Sequence, residues 1–299
     1  MALQDHLDGW TPDPVQDTGV IAAEPVAALA AVLDLPPTTP SDTDRLPPLW
    51  HWLQLLEWPA RGELGPDGHP AHGRFLPPIP DRRRMFAGGR VRFDGALEIG
   101  APVRRTSEVT DCTVKTGTSG ELAFVTVRST WSQHGIDRVV EDIDYVYRSG
   151  DDTTSAQTRR HAPVPTEPPS DESLSDEPGT DPAWRLVPDT SPVTLFRFSA
   201  LTANSHRIHY DQAYARDVEG YPDLVVHGPL LVLFMTETAR RADPRPVTGV
   251  TFRLRRPVFS GMPVVVRGGP ATDTADTAAM TVASAADERH AVADVHFAH

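Results

Sequence analysis

The sequence holds a single cysteine, so its first exclusion concerns disulfides. Because Cys112 has no partner within the chain, no intrachain disulfide can form, which is typical of proteins of the reducing cytoplasm. No apolar run approaches the roughly 20 residues that a membrane-spanning helix needs. The first residues lack the basic stretch and apolar core of a secretory signal. We therefore expect a cytoplasmic protein that does not interact with a membrane.

Positive charge is also scarce. Lys and Arg together number 28 against 41 Asp and Glu, which gives a formal net charge of −13, and Lys115 is the only lysine. A protein that binds nucleic acid along a broad surface must neutralise phosphates with Lys and Arg. The charge balance therefore excludes such an interface. The hydrophobic fraction of 39% is typical of a globular protein.

Proline, by contrast, is abundant, with 30 residues in 299. Segment 151–189 is rich in Pro, Ser, Asp and Glu and has almost no apolar periodicity, so it is expected not to bury enough surface to fold by itself. It predicts a linker between a first domain, 1–150, and a second domain, 190–299. The pattern does not decide whether residues 1–45 pack as a helix on the first domain.

Both halves carry the alternation of apolar and polar residues that is typical of half-buried strands. In the first half Ile143, Tyr145 and Tyr147 alternate with polar residues, and in the second half Phe252 and Leu254 alternate with arginines. Further strands are predicted at 121–131, 263–267, 278–284 and 290–297.

Two helices are indicated in the second half. Gly228-Pro229 precedes six consecutive apolar residues, and proline suits the first position of a helix because no N–H is needed there. A helix that is apolar all round must be buried on every side, and a sheet curled around it would bury it. A shorter helix is predicted to begin after Asp211, a natural N-cap, and to end before Gly220.

The densest group of polar side chains lies just before this shorter helix and contains Asn204 and His209. His227 stands directly before Gly228, at the start of the apolar helix. The first N–H groups of a helix have no partner within it and carry partial positive charge, so they can stabilise a developing oxyanion. Since histidine titrates near neutral pH, His209 is the natural acid–base group.

This stretch resembles the hydratase-2 motif of MaoC-like hot-dog proteins, Ser-Gly-Asp-x-Asn-Pro-x-His-x-Asp, which is followed by a His-Gly that opens the central helix. The resemblance places Asn204 at the catalytic Asp, His209 at the catalytic His and Gly228 at the glycine whose N–H holds the thioester carbonyl. Asn204 cannot act as a carboxylate base. The second proton transfer is therefore left to His209, to another residue or to water.

The variant Asn-x-His-Arg-Ile-His-Tyr-Asp at 204–211 is similar to one branch of that superfamily. The branch contains mesaconyl-CoA and itaconyl-CoA hydratases and the mitochondrial type of 3-hydroxyacyl-thioester dehydratase, and segments 46–52, 65–70, 75–80 and 83–90 resemble its front domain. The resemblance implies an α+β protein of two fused hot-dog domains, each a curved antiparallel sheet wrapped around a central helix. The second domain would hold the catalytic residues, and the non-catalytic first domain would shape the acyl pocket.

The function that the resemblance implies is reversible hydration of an enoyl-CoA thioester, a hydro-lyase reaction, with a short branched dicarboxylic acyl group preferred. Two alternatives stay open: a 3-hydroxyacyl-ACP dehydratase of fatty acid or polyketide synthesis, and a non-catalytic protein that binds acyl thioesters. No metal or redox cofactor is implied, since CoA enters as part of the substrate. The two-domain chain is compatible with pairing into a homodimer.

Candidate substrate-binding residues follow from the acyl group. Arginine suits bidentate contact with a carboxylate or a phosphate, so we expect Arg83 or Arg84 to bind the acyl or CoA moiety. Tyr210 and His227 are included as neighbours of the site.

The histidines also have less specific interpretations. His206, His209 and His227 together suggest a metal site, but no carboxylate or cysteine stands at a familiar offset, and we predict no metal there. Asn204 and His209 are also residues that commonly satisfy backbone groups in turns before a helix.

Overall fold

The computed structural model describes residues 2–35, 45–80, 82–117, 120–149, 182–270, 272, 275–284 and 289–299. Most of the predicted linker, residues 151–181, lies outside the described residues. Within the described part, ten antiparallel strands form one continuous sheet. The strands are β1 (Val15–Val20), β2 (Arg83–Phe93), β3 (Pro102–Gly117), β4 (Gly120–Gln133), β5 (Ile136–Arg148), β6 (Arg185–Leu186), β7 (Val247–Leu254), β8 (Val264–Pro270), β9 (Thr277–Ser284) and β10 (Arg289–Phe297).

The sheet is built from two halves with the same strand order. The front half runs β1-β3-β4-β5-β2, and the rear half, counted from its outer edge, runs β6-β8-β9-β10-β7. The halves join where β2 pairs with β7, with Gly88 opposite Arg253 and Arg92 opposite Gly249. A Cβ at Gly88 would lie 2.8 Å from the Phe252 carbonyl oxygen, so this junction needs a residue without a side chain. The two halves are therefore related by a local twofold axis at the junction.

Five α-helices lie in the described residues, and none of them is long and apolar enough to cross a membrane. They are α1 (Leu3–Leu7), α2 (Ala23–Val32), α3 (Pro192–Leu201), α4 (Gln212–Asp217) and α5 (Gly228–Ala242). Short 3-10 turns lie at Trp50–Leu53, Arg61–Glu63, Pro182–Trp184 and Arg207–His209.

Helix α5 is the centre of the core. Its residues from Leu230 to Ala239 are all buried, and it packs against strands β7 to β10. The Trp50 indole N–H donates to Glu237 Oε1 (2.9 Å), which ties the front half to this helix. The apolar helix that begins at Gly228 and the antiparallel sheet around it are thus confirmed. The second predicted helix is also confirmed, since Asp211 Oδ1 accepts from the Tyr214 N–H (3.0 Å) at the start of α4.

Other elements were not predicted. Residues 185–186 lie within the range predicted as linker, but they form the edge strand β6 because they pair with β8. Helix α3 begins after Ser191, whose hydroxyl accepts from the Thr194 N–H (3.4 Å). Residues 1–45 contribute α1, which packs on β4, as well as β1 and α2.

A charged group is buried in the core of the front half. The Glu141 carboxylate contacts His51 Nε2 (3.1 Å) and accepts hydrogen bonds from the indole N–H groups of Trp52 (2.8 Å) and Trp131 (3.2 Å). Burial alone would raise the pKa of Glu141, but the imidazole and the two indoles together hold it below its ordinary value. A depressed pKa stabilises the folded state above the ordinary pKa, and this contribution is lost as the pH falls through the folded pKa.

Replacing Glu141 by Gln should lower the free energy of unfolding by about 3 kcal/mol near neutral pH, because the buried partners lose their charged acceptor. Urea unfolding followed by tryptophan fluorescence measures it. The neighbouring Asp142→Asn variant is the control, since the partner Arg128 is 45% exposed and such a pair contributes at most about 1 kcal/mol. Equal losses in the two variants would contradict a stabilising role for the buried carboxylate.

Candidate active site

The polar loop between α3 and α4 is closed by its own hydrogen bonds. The Asn204 N–H donates to the Ser199 carbonyl (2.9 Å), and Asn204 Oδ1 accepts from the His206 N–H (3.1 Å). The second bond is the turn that asparagine side chains favour. The carboxamide oxygen of Asn204 is therefore engaged in shaping the loop that leads to His209.

His209 lies at the end of the 3-10 turn Arg207–His209 and is only 7% exposed. Its Nδ1 lies 2.7 Å from the Val225 carbonyl, which can only accept, so Nδ1 carries the proton and Nε2 keeps its lone pair. Burial lowers the pKa of His209 to about 4, although the bond to Val225 acts in the opposite direction. The ring is therefore neutral at physiological pH, and Nε2 can act as a base.

His227 lies parallel to His209, with ring centroids 3.7 Å apart and an interplanar angle of 18°. Its Nε2 shares a hydrogen bond with the Ser199 hydroxyl (2.8 Å), whereas its buried Nδ1 has no hydrogen-bond partner among the described residues. Burial, together with His209 and His206, lowers the pKa of His227 well below its ordinary value. The pair is thus two stacked neutral rings at the N-terminus of α5.

Gly228 is the first residue of α5, so its N–H has no partner within the helix. A Cβ at this position would lie 2.3 Å from Leu254 Cδ1 and 3.2 Å from Phe86 Cδ1. Phe86 stacks on Phe252 (centroids 5.6 Å apart), and Trp52 packs edge-on against both. Residues of both halves therefore form an apolar wall at the helix N-terminus.

A segment of the front half docks onto the loop that carries His209. The Arg207 N–H donates to the Asp67 carbonyl (2.8 Å), and the Ser205 hydroxyl donates to the Gly68 carbonyl. Gly68 has φ = +89°, and a Cβ there would lie 1.9 Å from the Ser205 carbonyl oxygen. Only glycine permits this close approach of two backbones.

The docked segment brings two further titratable groups to the site. Asp67 Oδ2 contacts His69 Nδ1 (3.0 Å), and the His69 ring lies on the ring of His206, with centroids 4.0 Å apart. His206 in turn contacts His209 edge-on at 5.5 Å. Burial is the largest cause that lowers the pKa of both His69 and His206.

The four residues predicted to bind substrate lie in different settings. Arg83 forms an ion pair with Glu219 (3.5 Å), whereas the Arg84 guanidinium lies over the ring of Tyr145 (4.8 Å). Arg84 is close enough to His69 and His206 to lower the pKa of both. The Tyr210 hydroxyl donates to the Ser205 carbonyl (2.9 Å), so it holds the loop. His227, the fourth, is the ring stacked on His209.

Among the described residues, His206, His209 and His227 do not bring three donor atoms within 4.8 Å of one another. In the part of the chain that the structure describes, Asp67, His69 and His206 alone place three donor atoms within 4.8 Å of one another. The rings of His69 and His206 are stacked, with an interplanar angle of 33°. Asp67 Oδ2 and His69 Nδ1 already contact each other (3.0 Å), and the nearby Arg84 cation opposes a metal ion. This donor set does not fit a metal centre.

The sequence did not assign a role to Asp67, His69 or Ser199. Asp67 and His69 lie in segment 65–70, whose sequence indicates only a resemblance to the front domain of the family branch. The available signal was Asp-Gly-His, in which a glycine separates two groups that can exchange a proton.

Replacing Gly68 by Ala should lower the free energy of unfolding by about 2–3 kcal/mol and loosen the loop at 204–209, because the methyl group would collide with a carbonyl. Urea unfolding and amide hydrogen exchange of that loop measure both effects. Gly100→Ala is the control, since Gly100 also has a positive φ (+81°) but open space around it. If the two variants lose the same stability, the docking contact contributes nothing beyond backbone strain.

Comparison with known proteins assigns the chain to a family. A sequence profile of hydroxyacyl-thioester dehydratase type 2 matches residues 49–260. The chain is 44% identical over 258 residues to the mesaconyl-C(4)-CoA hydratase of Chloroflexus aurantiacus, covering 86% of each chain. It is also 40% identical over 85 residues to the mitochondrial hydroxyacyl-thioester dehydratase type 2 of Schizosaccharomyces pombe, over 27% of this chain and 28% of that one.

Solved structures confirm the fold. HtdX of Mycobacterium tuberculosis superposes with a TM-score of 0.61 at 14% identity, over 96% of this chain and all of that one. A MaoC-like dehydratase of Phytophthora capsici superposes with a TM-score of 0.63 at 11% identity, over all of this chain and 98% of that one. The expected hot-dog architecture is therefore present. With the profile match and the relatives, it follows that the chain belongs to the hydroxyacyl-thioester dehydratase type 2 family and is a hydro-lyase of acyl thioesters.

Proposed function

We propose that the chain catalyses the reversible hydration of an enoyl-CoA with a short branched dicarboxylic acyl group, of the mesaconyl-C(4)-CoA type. The 44% identity to a mesaconyl-C(4)-CoA hydratase supports this substrate class. The observation that carries the reaction is His209, a buried neutral ring with a free Nε2 lone pair near the N-terminus of α5. In a mesaconyl-C(4) thioester the β-carbon carries a methyl group and the free carboxylate.

In the direction of hydration, His209 Nε2 takes a proton from water and the hydroxide oxygen bonds to the β-carbon. The π electrons move toward the thioester carbonyl, whose oxygen gains negative charge. The Gly228 N–H, at the positive end of α5, stabilises that charge. When the carbonyl re-forms, the α-carbon takes a proton, and the His209 imidazolium returns the one that it holds. A single residue thereby closes the proton balance.

The neighbours of His209 position it. Asn204 has no carboxylate, and its side-chain oxygen accepts from the His206 N–H. We therefore assign it the role of fixing the conformation of the loop that leads to His209. His227 packs flat against His209 and restricts rotation of the ring. Its unpartnered Nδ1 offers a further polar contact for substrate or water at the start of α5.

We infer that the front half, within the predicted domain 1–150, shapes the acyl pocket. Phe86 and Trp52 supply part of the apolar wall beside Gly228. Arg84 supplies positive charge, whereas Arg83 is held by Glu219. The catalytic groups come from the rear half, within the predicted domain 190–299. This division of roles explains why one chain carries two similar halves.

A second candidate is the dehydration of a 3-hydroxyacyl group on acyl carrier protein. It is favoured by the match to the hydroxyacyl-thioester dehydratase type 2 profile. The third interpretation, a protein that binds thioesters without catalysis, does not agree with the hydratase and dehydratase relatives. Pairing of two chains into a homodimer stays a prediction of the sequence.

Replacing His209 by Gln should lower kcat about 10²–10⁴-fold, the usual contribution of a general acid–base group. Steady-state hydration of mesaconyl-C(4)-CoA, followed by loss of enoyl-thioester absorbance, measures it. The exposed His72→Gln should leave kcat unchanged. In the unmodified protein, kcat/KM should fall as the pH is lowered through about 4, because protonated His209 is not a base. Activity retained in the His209 variant would show that another group is the base.

A panel of three thioesters tests the substrate class. We expect mesaconyl-C(4)-CoA to gain one water faster than itaconyl-CoA and much faster than crotonyl-CoA, as measured by product mass. Faster hydration of crotonyl-CoA would favour the 3-hydroxyacyl dehydratase, which the same assay with a crotonyl-ACP would then examine. No reaction with any thioester would contradict the proposed function.

A further inference from the structure

Two stacked imidazoles lie one ring away from the proposed base. His206 contacts His209 edge-on, with ring centroids 5.5 Å apart, and His69 stacks on His206 at 4.0 Å. The Arg84 guanidinium acts on both rings from β2. The group therefore combines residues of both halves beside His209.

The charged groups near His206 and His69 are mostly positive. Asp67 is the carboxylate that contacts His69, and its Oδ1 also accepts from the His69 N–H (3.0 Å). Arg82 adds positive charge to the surroundings of His69, while its own guanidinium donates to the carbonyls of Pro77 (2.9 Å) and Ala71 (2.9 Å).

No carboxylate among the described residues acts on His206. His209 and His227 are neutral rings, and Tyr145 lies under the Arg84 guanidinium. Among the described residues, the side chains of His206 and Arg84 form no hydrogen bond and no ion pair. His206 and Arg84 thus have donors to offer and no carboxylate partner among the described residues, because the Asp67 carboxylate is bound to His69.

We propose that Arg84, His206 and His69 form the subsite for the free carboxylate of the acyl group, and that the subsite takes up a proton when it is filled. This inference rests on the proposed function and specifies how the dicarboxylic class is recognised. In a mesaconyl-C(4) thioester the free carboxylate is attached to the carbon that is hydrated. It must therefore lie within a few ångströms of the water that His209 activates, where His206 is found.

Proton uptake follows from electrostatics. Burial and the nearby positive charges keep the pKa of His206 and of His69 below the ordinary value, although Asp67 acts on His69 in the opposite direction, so both rings are neutral near pH 7. A carboxylate bound among them favours the charged form of an imidazole. Since binding and protonation are linked, a lower pH must then strengthen binding of a dicarboxylic acyl-CoA and leave a monocarboxylic one unaffected.

Two saturated thioesters test the subsite without turnover. Succinyl-CoA carries a carboxylate on its β-carbon, and butyryl-CoA carries a methyl group there. Isothermal titration of the full chain near pH 7, in PIPES and in Tris, gives the number of protons exchanged, because the two buffers differ in ionisation enthalpy. We expect net proton uptake with succinyl-CoA and none with butyryl-CoA.

Three variants and a control locate the effect. Arg84→Gln should weaken succinyl-CoA binding at least about tenfold, the usual loss for a charge-assisted contact, and leave butyryl-CoA binding unchanged. His206→Gln and His69→Gln should abolish proton uptake, whereas His72→Gln, an exposed residue of the same front-half segment, should retain it. Circular dichroism and thermal unfolding check that each variant is folded.

Equal proton uptake with the two thioesters, or none with either, would overturn the subsite. So would Zn²⁺ binding with one-to-one stoichiometry that is lost in His206→Gln, since the group would then be a metal centre. Because neither probe can be hydrated, these results do not depend on turnover. Hydration of mesaconyl-C(4)-CoA without proton uptake by succinyl-CoA would leave the proposed function standing and remove this inference alone.

Discussion

The pairing of β2 with β7 is the constraint on which the rest of the structure depends. It joins two five-stranded halves into one sheet and fixes their register from Gly88 to Arg92. Without that register Phe86 and Leu254 would not meet over Gly228. The junction permits this approach because glycine stands on both strands, at Gly88 and Gly249, where a Cβ would crowd the opposite backbone. A requirement for close main-chain packing therefore determines the position of the apolar wall next to the N-terminus of α5.

The electrostatics of the site follow from burial. His209 and His227 lie flat against each other in a dry environment that disfavours imidazolium, and a neutral ring with a defined tautomer is what a base requires. The Val225 carbonyl fixes that tautomer at Nδ1. In the front half, by contrast, a buried group stays charged: Glu141 remains a carboxylate because His51, Trp52 and Trp131 contact its oxygens. Burial thus favours a neutral base in one half, whereas in the other half the buried carboxylate keeps its charge because its partners outweigh the effect of burial.

Local signals in the sequence predicted those elements that depend on neighbours along the chain. Proline at the start of α5, the Asp211 cap of α4 and the alternation along β5 and β7 each act within a few residues. Elements that depend on distant partners were missed. Strand β6 has two residues and exists because it pairs with β8, and α3 exposes Val193 and Phe196, which obscures its apolar face.

The residues of the candidate site also fall into those that a local motif predicted and those that depend on a distant contact. His209, Asn204 and Gly228 were identified because they match a motif, and the motif lies on one short stretch of chain. His69 and Asp67 reach the same site from about 140 residues earlier, through a contact between the Gly68 and Ser205 backbones. Nothing in the local pattern of segment 65–70 specifies that contact, because it depends on the arrangement of the two halves.

The local twofold axis at the junction has an evolutionary consequence. In a symmetric pair of identical chains, each substitution appears at both ends of the shared strands, so neither end can change without the other. Here the two ends are encoded separately: Phe86 and Leu254 flank one end, and Phe93 and Val247 flank the other. Selection can therefore adapt one end for chemistry and the other for folding stability, at the cost of half the number of potential active sites per unit of mass.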